Sequence, residues 1–332
     1  MNILLLSQNR IDSTSFYRAN GVFPNLNKQM NGKLNITSMD FKTMKLDWAD
    51  LMNYDIVFMQ RPYNNMYKQL AYYVKELGIP LWIDYDDNLL NVPTDNKTFE
   101  IYSNKEIKKN ISEFLAMADI ISVSTNEIKN LFKIFNKNIK VIPNAFNQDL
   151  FKYRNIKQRK DVILWRGSDT HQLDLMTFSE KISSCANEFK NWKWFYKGYN
   201  PWFFANLTNE KIYYEKANDV IKYHQQIHNL APKVMQVPLT DHLFNRCKSN
   251  IAALEGIFAG SVCIVPDWPE WQIPGTLKYN NPIEYSQCLK DVYHGRVKVK
   301  KNNDIAWQYI NDVFSLEKVN KLRIKIIESL IN

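Results

Sequence analysis

The sequence predicts an α/β protein built from two doubly wound units that face one cleft. Three observations point there. Apolar runs of strand length alternate with helical patterns from the first residue onward, as largely parallel sheets require. The alternation stops near residue 144 and restarts at 161, and a chain of 332 residues is long enough for two separate cores.

Met1–Ser7 reads as a buried strand, Ser15–Met30 as a helix or loop-helix, Ile36–Met39 and Asp55–Gln60 as further strands. A helix over Asn65–Leu77 stops at Gly78, and Pro80–Asp84 follows as a strand. The helix Lys105–Ala118, the strand Asp119–Ser124, the helix Thr125–Phe135 and the strand Ile139–Ile142 complete a first Rossmann-like domain over 1–147. Residues 144–160 lack periodicity and are rich in charge and amides, so a linker is expected over 148–160.

The second unit, 161–303, begins with the strand Asp161–Trp165, a Gly-Ser turn and a helix from about His171 to Glu188. The strand Trp192–Gly198, a helical region over 208–229, the strand Val234–Val237, a helix from residue 241 to the Gly stop and the strand Ser261–Val265 follow. Residues 304–332 carry two helical patterns, expected to pack back on the first domain. Open α/β units bind ligands outside the carboxyl ends of their strands, so the cleft between the two domains is the expected site.

Hydrophobic residues make up 45% and charged residues 23%, an ordinary balance for a folded chain. There is no run long and apolar enough to span a bilayer, and MNILLLSQNR lacks the basic start and long apolar core of a signal peptide. A cytoplasmic protein without a transmembrane segment is expected. The four cysteines, Cys185, Cys247, Cys263 and Cys288, form no C-x-x-C pair, which argues for reduced thiols. Net charge is +9, concentrated in 105–109, 129–140 and 296–301. That excess suits a nucleotide, DNA or an anionic membrane surface, and equally suits an AT-rich coding sequence that enriches Lys and Asn.

Several segments carry candidate chemistry. In residues 241–266, Lys248 and Glu255 stand seven positions apart. On one continuous helix they would share a face about 10 Å apart. The cation and helix start suit a diphosphate, and the carboxylate suits ribose hydroxyls. The turn WRGSDTH adds Arg166, Gly167, Ser168 and His171 as a phosphate cradle, and Ser249 lies beside Lys248. G-x-G-x-x-G and G-K-[ST] are both absent, which removes support from dinucleotide and P-loop readings. After the strand at 80–84 comes DYDDN, whose Asp84, Asp86 and Asp87 are candidate catalytic groups. Clustered carboxylates raise one another's pKa, which suits a general base. The alternative, a D-x-D metal motif in a fold with one α/β unit, leaves 161–266 unexplained. Tyr17 and Arg18 follow the first strand, and Tyr199 and Trp202 follow Gly198; all four are candidate acceptor contacts. His224 and His228, spaced i, i+4 without a metalloprotease Glu, read as a solvated helix face.

The combination WRGSDTHQLDL, FYKG and FNRCKSNIAALEGIFAGSVCIVP resembles the donor domain of GT-B glycosyltransferases, especially the large retaining nucleotide-sugar family. The similarity covers most of 161–266. It implies a fold of two Rossmann-like domains (GT-B), a UDP-sugar donor, Glu255 on the ribose and Lys248 or Arg166 on the diphosphate. Members often carry a second Glu eight positions before the first, where this chain has Cys247. Sugar transferases of bacteria and phages often carry a similar acidic segment, and phage DNA glucosyltransferases are similar in layout. The resemblance implies hexose transfer, with glucose as the expected sugar; the basic charge and the aromatic loop make a hydroxymethylated pyrimidine of phage-type DNA the expected acceptor. A surface-polysaccharide or glycolipid acceptor and a non-catalytic binding protein are the alternatives. No cofactor or divalent metal is expected.

Overall fold

The computed structural model describes residues 1–41, 44, 46–151, 156–204, 212–216 and 219–331. Its strands form two parallel six-stranded sheets, one from each half of the chain. The first contains β1 (Asn2–Ser7), β2 (Asn35–Asp40), β3 (Ile56–Gln60), β4 (Leu81–Tyr85), β5 (Ile120–Val123) and β6 (Ile139–Val141), ordered β2-β1-β3-β4-β5-β6. The second contains β7 (Lys160–Arg166), β8 (Lys193–Lys197), β9 (Ile212–Glu215), β10 (Pro232–Gln236), β11 (Val262–Pro266) and β12 (Leu277–Tyr279), ordered β12-β11-β10-β7-β8-β9. Strand order reverses between β1 and β3 in one sheet and between β7 and β10 in the other. Those two points are where crevices open at the carboxyl ends.

Helices cover both faces of each sheet, so the strands need apolar residues at nearly every position. In the first, Ile3, Leu5, Ile56, Phe58 and Trp82 fill one side, while Leu4, Leu6, Val57, Met59 and Ile83 fill the other. The helices of this half are α1 (Ser13–Arg18), α2 (Phe23–Gln29), α3 (Asn65–Glu76), α4 (Phe99–Tyr102), α5 (Lys105–Met117) and α6 (Asn126–Phe132). Side-chain oxygens of Asn64, Asn104 and Thr125 accept hydrogen bonds from the first turns of α3, α5 and α6. The helix expected over Ser15–Met30 is two helices, because Ala19 leaves the helical region and Pro24 favours a new start in the first turn of α2.

The second half contributes α7 (Gln172–Glu188), α8 (Val220–Leu230), α9 (Leu243–Arg246), α10 (Ile251–Phe258), α11 (Pro282–Tyr293), α12 (Val299–Val313) and α13 (Leu316–Ile331). Two expectations need correction. The helical region at 208–229 begins as strand β9, whose Tyr213 stacks on Phe195 of β8, and the helix starts only at Val220; residues 208–211 and 217–218 lie outside the described residues. The single helix through 241–258 is broken over 247–250, so Lys248 and Glu255 do not share one helix face. Lys248 instead sits in the turn ahead of α10.

The two halves are joined by two chain crossings. Phe146 accepts from the N–H of Leu316 (2.9 Å) and donates to the carbonyl of Phe314 (2.7 Å), so the outgoing and returning chains lie side by side. Residues 148–151 of the expected linker are partly structural, since Phe151 is buried against Phe146 and Phe258; 152–155 lie outside the described residues. Helix α12 packs on the second half through Ala306 and Ile310. Helix α13 packs on the first half, where Leu316, Val319, Ile326 and Ile327 meet Phe23 and Trp82. Among the described residues no helix is long and apolar enough to cross a membrane.

Candidate active site

The carboxyl ends of the two sheets enclose a cavity of about 520 Å³. Ten of the residues singled out from the sequence line it: Tyr17, Asp86, Asp87, Arg166, Gly167, Ser168, His171, Lys248, Ser249 and Glu255. Four do not: Arg18, Asp84, Tyr199 and Trp202.

On the second half, Arg166 ends β7 at the point where strand order reverses, and the N–H of Gly167 donates to the carbonyl of Lys197 (3.0 Å). Gly198 has φ +97, and a Cβ there would lie 2.4 Å from the Gly167 carbonyl oxygen. The turns after β7 and β8 can approach this closely only with glycine at that position. Glu255, 4% exposed, accepts from the Tyr17 hydroxyl (2.7 Å), Arg166 Nε (2.6 Å) and the Tyr223 hydroxyl (3.0 Å). A carboxylate can accept four hydrogen bonds, so one lone pair remains.

Tyr17 crosses from the first half to make that bond and also contacts His224 Nε2 (2.7 Å). Glu255 can only accept, so the single hydroxyl proton points to it and His224 Nε2 must be the donor to Tyr17. Burial pushes the His224 pKa down to about 4, with Glu255 opposing. The histidine is therefore neutral and buried, not the solvated residue expected from its spacing. Asp174 holds His171 through Nδ1 (2.8 Å). Burial and then Lys248 lower the His171 pKa, against the opposing effect of Asp174.

Lys248 is the distinctive cation of this wall. Its Nζ lies 4.7 Å from the centre of the Phe244 ring, and among the described residues it has no ion-pair partner. Ser249 beside it accepts from Asn144 Nδ2 (2.8 Å), a further contact between the halves. Cys247 turns the other way. It is fully buried in the core of the first half, where Asn88 Nδ2 approaches its sulfur (3.7 Å) and Thr125 donates to its carbonyl (3.0 Å). Burial pushes the thiol up to about 12. It is packing, and no donor contact is available to it.

On the first half, the DYDDN acids divide. Asp84 forms a two-pronged pair with Arg18 (3.0 and 2.6 Å) and accepts from Ser122 (2.5 Å), while Arg18 also donates to Ile142 and Asn144. Both are enclosed and neither lines the cavity, so their positions fit neither the catalytic expectation for Asp84 nor the acceptor expectation for Arg18. The neighbouring Arg323 of α13 is buried too, and burial and then Arg18 push its guanidinium down to about 9. Asp86 and Asp87 face the cavity and share Arg61, bonded to Asp86 through Nε and to Asp87 through Nη2 (2.7 Å). Arg61 has φ +49, and its N–H donates to the Asp84 carbonyl (2.9 Å) while its own carbonyl accepts from Gln8 (3.0 Å). Burial raises the Asp86 pKa, with Arg61 opposing and Asp87 adding. Burial also pushes Asp87 upward, but Lys248 and Arg61 outweigh it and the carboxyl titrates below its ordinary range. The two acids are thus set apart by their surroundings, as acid–base pairs are.

Tyr199 and Trp202 lie beyond the cavity wall. Trp202 is 63% exposed and packs edge-on against Phe203, so the post-Gly198 rings do not meet a ligand held between the sheets. Sequence reasoning missed Arg61, Tyr223 and the role of His224. For Arg61 a signal existed: a polar pair, Gln60-Arg61, directly after an apolar strand and before Pro62. For the helix break it was Ser249-Asn250, a helix-start pair immediately ahead of an apolar run. Among the described residues no three His, Cys, Asp or Glu side chains form a metal-binding group.

No family model matches the chain, and no characterised protein matches its sequence. Solved structures do match in shape. HepE of Anabaena, crystallised with UDP-glucose, is 12% identical with a TM-score of 0.66, covering 99% of this chain and all of that one. The UDP-forming α,α-trehalose-phosphate synthase of Burkholderia vietnamiensis is 9% identical with a TM-score of 0.64, over 99% of this chain and all of that one. The UDP-GlcNAc 2-epimerase of Neisseria meningitidis, bound to UDP-GlcNAc, is 11% identical with a TM-score of 0.58 at the same coverage. The chain therefore has the GT-B fold, two Rossmann-like domains facing a cleft.

Proposed function

We propose that the protein transfers a sugar from a UDP-sugar to a hydroxyl acceptor. The observation that supports this most is the cavity itself: Lys248, a cation with no ion-pair partner among the described residues, ahead of α10 on one wall, and two differently tuned carboxylates, Asp86 and Asp87, on the other. Lys248, Arg166 and the N–H groups that open α10 would neutralise the diphosphate, and they would stabilise the charge that grows on it as the sugar leaves. No metal ion is required in this reading. Glu255 would take a ribose hydroxyl on its remaining lone pair or in place of Tyr17. Gly167, Ser168 and His171 would line the phosphate turn, His171 as a neutral donor or acceptor. Asp86, with its raised pKa, is the candidate base for the acceptor hydroxyl, and Arg61 positions it.

A hexose is the donor sugar to test first, glucose before others, because HepE was solved with UDP-glucose. Transfer to a hydroxymethylated pyrimidine in DNA, as in phage DNA glucosyltransferases, draws on the net charge of +9 and on the 199–204 aromatics, but Tyr199 and Trp202 are not cavity residues. A surface saccharide or glycolipid acceptor does not depend on them and is the reading we favour. The N. meningitidis epimerase has the same fold, so acceptor-independent epimerisation is a second reading.

The test is calorimetric titration with UDP, followed by product analysis of UDP-glucose and UDP-GlcNAc turnover with and without saccharide, lipid-linked and hydroxymethylated DNA acceptors. UDP binding that is lost in Lys248→Ala, with a glycosylated product, supports the proposal. An epimerised nucleotide sugar would replace it with the second reading. UDP binding without turnover would leave a binding protein, and no UDP binding would end both.

A further inference from the structure

The imidazole of His171 is held on three edges, and the way it is held decides what it can bind. Nδ1 lies 2.8 Å from a carboxylate oxygen of Asp174, in the first turn of α7. The ring meets Trp165 at 83°, with centres 6.3 Å apart. Gly167 leaves room for it on the third edge: a Cβ there would lie 3.1 Å from His171 Cδ2 and 2.7 Å from the Trp165 ring. Asp174 is 4% exposed and does not line the cavity, whereas His171 does. Among the described residues no hydrogen bond reaches the other ring nitrogen, Nε2.

Asp174 is a fixed acceptor. Its second oxygen takes the Thr240 N–H (2.8 Å) and Asn245 Nδ2 (2.7 Å), so one buried carboxylate joins the turn after β7, the loop after β10 and α9. Burial pushes its pKa up, but His171, the Thr240 N–H and Lys248 outweigh that and hold it below the ordinary carboxylate range. An ionised carboxylate can only accept, so Nδ1 must donate. Burial and Lys248, with Arg166 adding, keep the ring neutral against the pull of Asp174. A neutral imidazole with its proton on Nδ1 is bare at Nε2. His171 therefore offers an acceptor and no donor.

That acceptor sorts the parts of a nucleotide sugar. The diphosphate oxygens carry no protons at neutral pH, so they repel a bare ring nitrogen. The donors on such a molecule are ribose hydroxyls, base N–H groups and the hydroxyls of the sugar. Glu255 is the candidate for the ribose. His171 and Asp87 of the opposite wall are electrostatic neighbours, so the ring sits where the two halves face each other. The transferred sugar is the part of the donor that must lie there, between the diphosphate and Asp86.

We propose that His171 is a specificity-determining residue for the donor sugar: its Nε2 accepts a hydrogen bond from one hydroxyl of the transferred ring, and Asp174 is the positioning residue that fixes this tautomer. The proposal deepens the transfer reading above and rests on it. A sugar lacking that hydroxyl leaves Nε2 unpaired and binds more weakly, while Lys248 and Arg166 still hold the diphosphate.

The experiment joins nitrogen-15 NMR of the five histidines with calorimetry, both on the full chain. In wild type the His171 signal, identified by its loss in His171→Phe, should show an unprotonated Nε2 with and without UDP-sugar. Asp174→Asn, whose amide can donate to Nδ1, should move the proton to Nε2. The binding readout is the ratio of UDP-hexose to UDP affinity, taken for whichever of UDP-glucose, UDP-galactose and UDP-GlcNAc binds most tightly. Both variants should lower that ratio roughly tenfold. One monodeoxy analogue of that sugar should lose a similar factor on wild type and nothing further on His171→Phe. His171→Phe leaves Asp174 in place, so it carries the ratio test if Asp174→Asn loosens the loops. The inference is overturned if Nε2 is protonated in the wild-type complex, if neither variant changes the ratio, if UDP affinity falls as far as UDP-hexose affinity, or if UDP binds and no UDP-hexose does. Failure of UDP itself to bind, read in the same calorimetry, is a different result: it ends the transfer reading and this inference with it.

Discussion

Two arginine–carboxylate clusters draw their acids from the same short segment of this chain and sit in opposite settings. Arg18–Asp84 is enclosed, with side-chain exposures of 1% and 3%, and its remaining bonds go to Ser122, Ile142 and Asn144. Arg61 with Asp86 and Asp87 is the same chemistry at 20%, 13% and 25% exposure, on a cavity wall and within the field of Lys248. The difference is access and the number of partners, not residue type. A carboxylate enclosed with its arginine and away from the cavity is out of a ligand's reach, however close it lies in sequence to two that line the cavity.

The comparison breaks most readily at Asp84. Asp84→Ala leaves Arg18 charged, buried and beside Arg323, so it should destabilise by about 3–5 kcal/mol, read as a shift in urea midpoint. If it instead folds normally and loses transfer, the enclosed cluster is part of the site. Asp86→Asn should do the reverse: kcat falls by roughly 100-fold or more, while the melting temperature stays within a few degrees of wild type. Lys248→Met, the same wall seen from the other half, should weaken UDP by about 1.5–3 kcal/mol in calorimetry without moving the unfolding midpoint.

Tyr17 and Glu255 stand between the two cases, buried yet bordering the cavity, and His224 is buried behind Tyr17. The folded His224 titrates near pH 4 and an unfolded one near 6.5, so between these values only the unfolded chain takes up the proton. Its stabilising contribution is complete above pH 6.5 and is lost as pH falls toward 4, amounting to about 2 kcal/mol by pH 5. Urea curves at pH 7 and 5 for wild type and His224→Phe should differ by that amount. Tyr17→Phe removes two hydroxyl bonds between the halves, to Glu255 and His224, and should lower stability by about 1–3 kcal/mol. It should also leave Glu255 freer for UDP, so tighter UDP binding with lower stability would sharpen the comparison.

Much of this was legible from the chain. Two-sided burial leaves long apolar runs such as ILLL and VCIVP, and a parallel sheet follows from them. The cavity wall was legible because ligands gather at strand ends, and WRGSDTH, DYDDN and Lys248–Glu255 all mark such ends. What failed was long-range pairing. Asp84 is consumed by an arginine 66 positions away and Glu255 is bonded by a tyrosine 238 positions away, and no local pattern encodes either. The Lys248–Glu255 spacing argument assumed an unbroken helix; the helix is broken, and the two residues nonetheless line the same cavity. Cys247 looked like a missing catalytic acid, but the break turns it into the core of the other half.

The paired crossings at Phe146 and Ser315 make the second half an insertion within the first. Ribosomes deliver the six strands of the first sheet early, but Leu316, Val319, Ile326 and Ile327 of α13 arrive roughly 180 residues later, on the order of 10 to 40 s at ordinary elongation rates. Until then the patch around Phe23 and Trp82 is uncovered and Arg18 and Asp84 lack the roof that encloses them. During synthesis this protein carries an unfinished, apolar surface for about half of its production time.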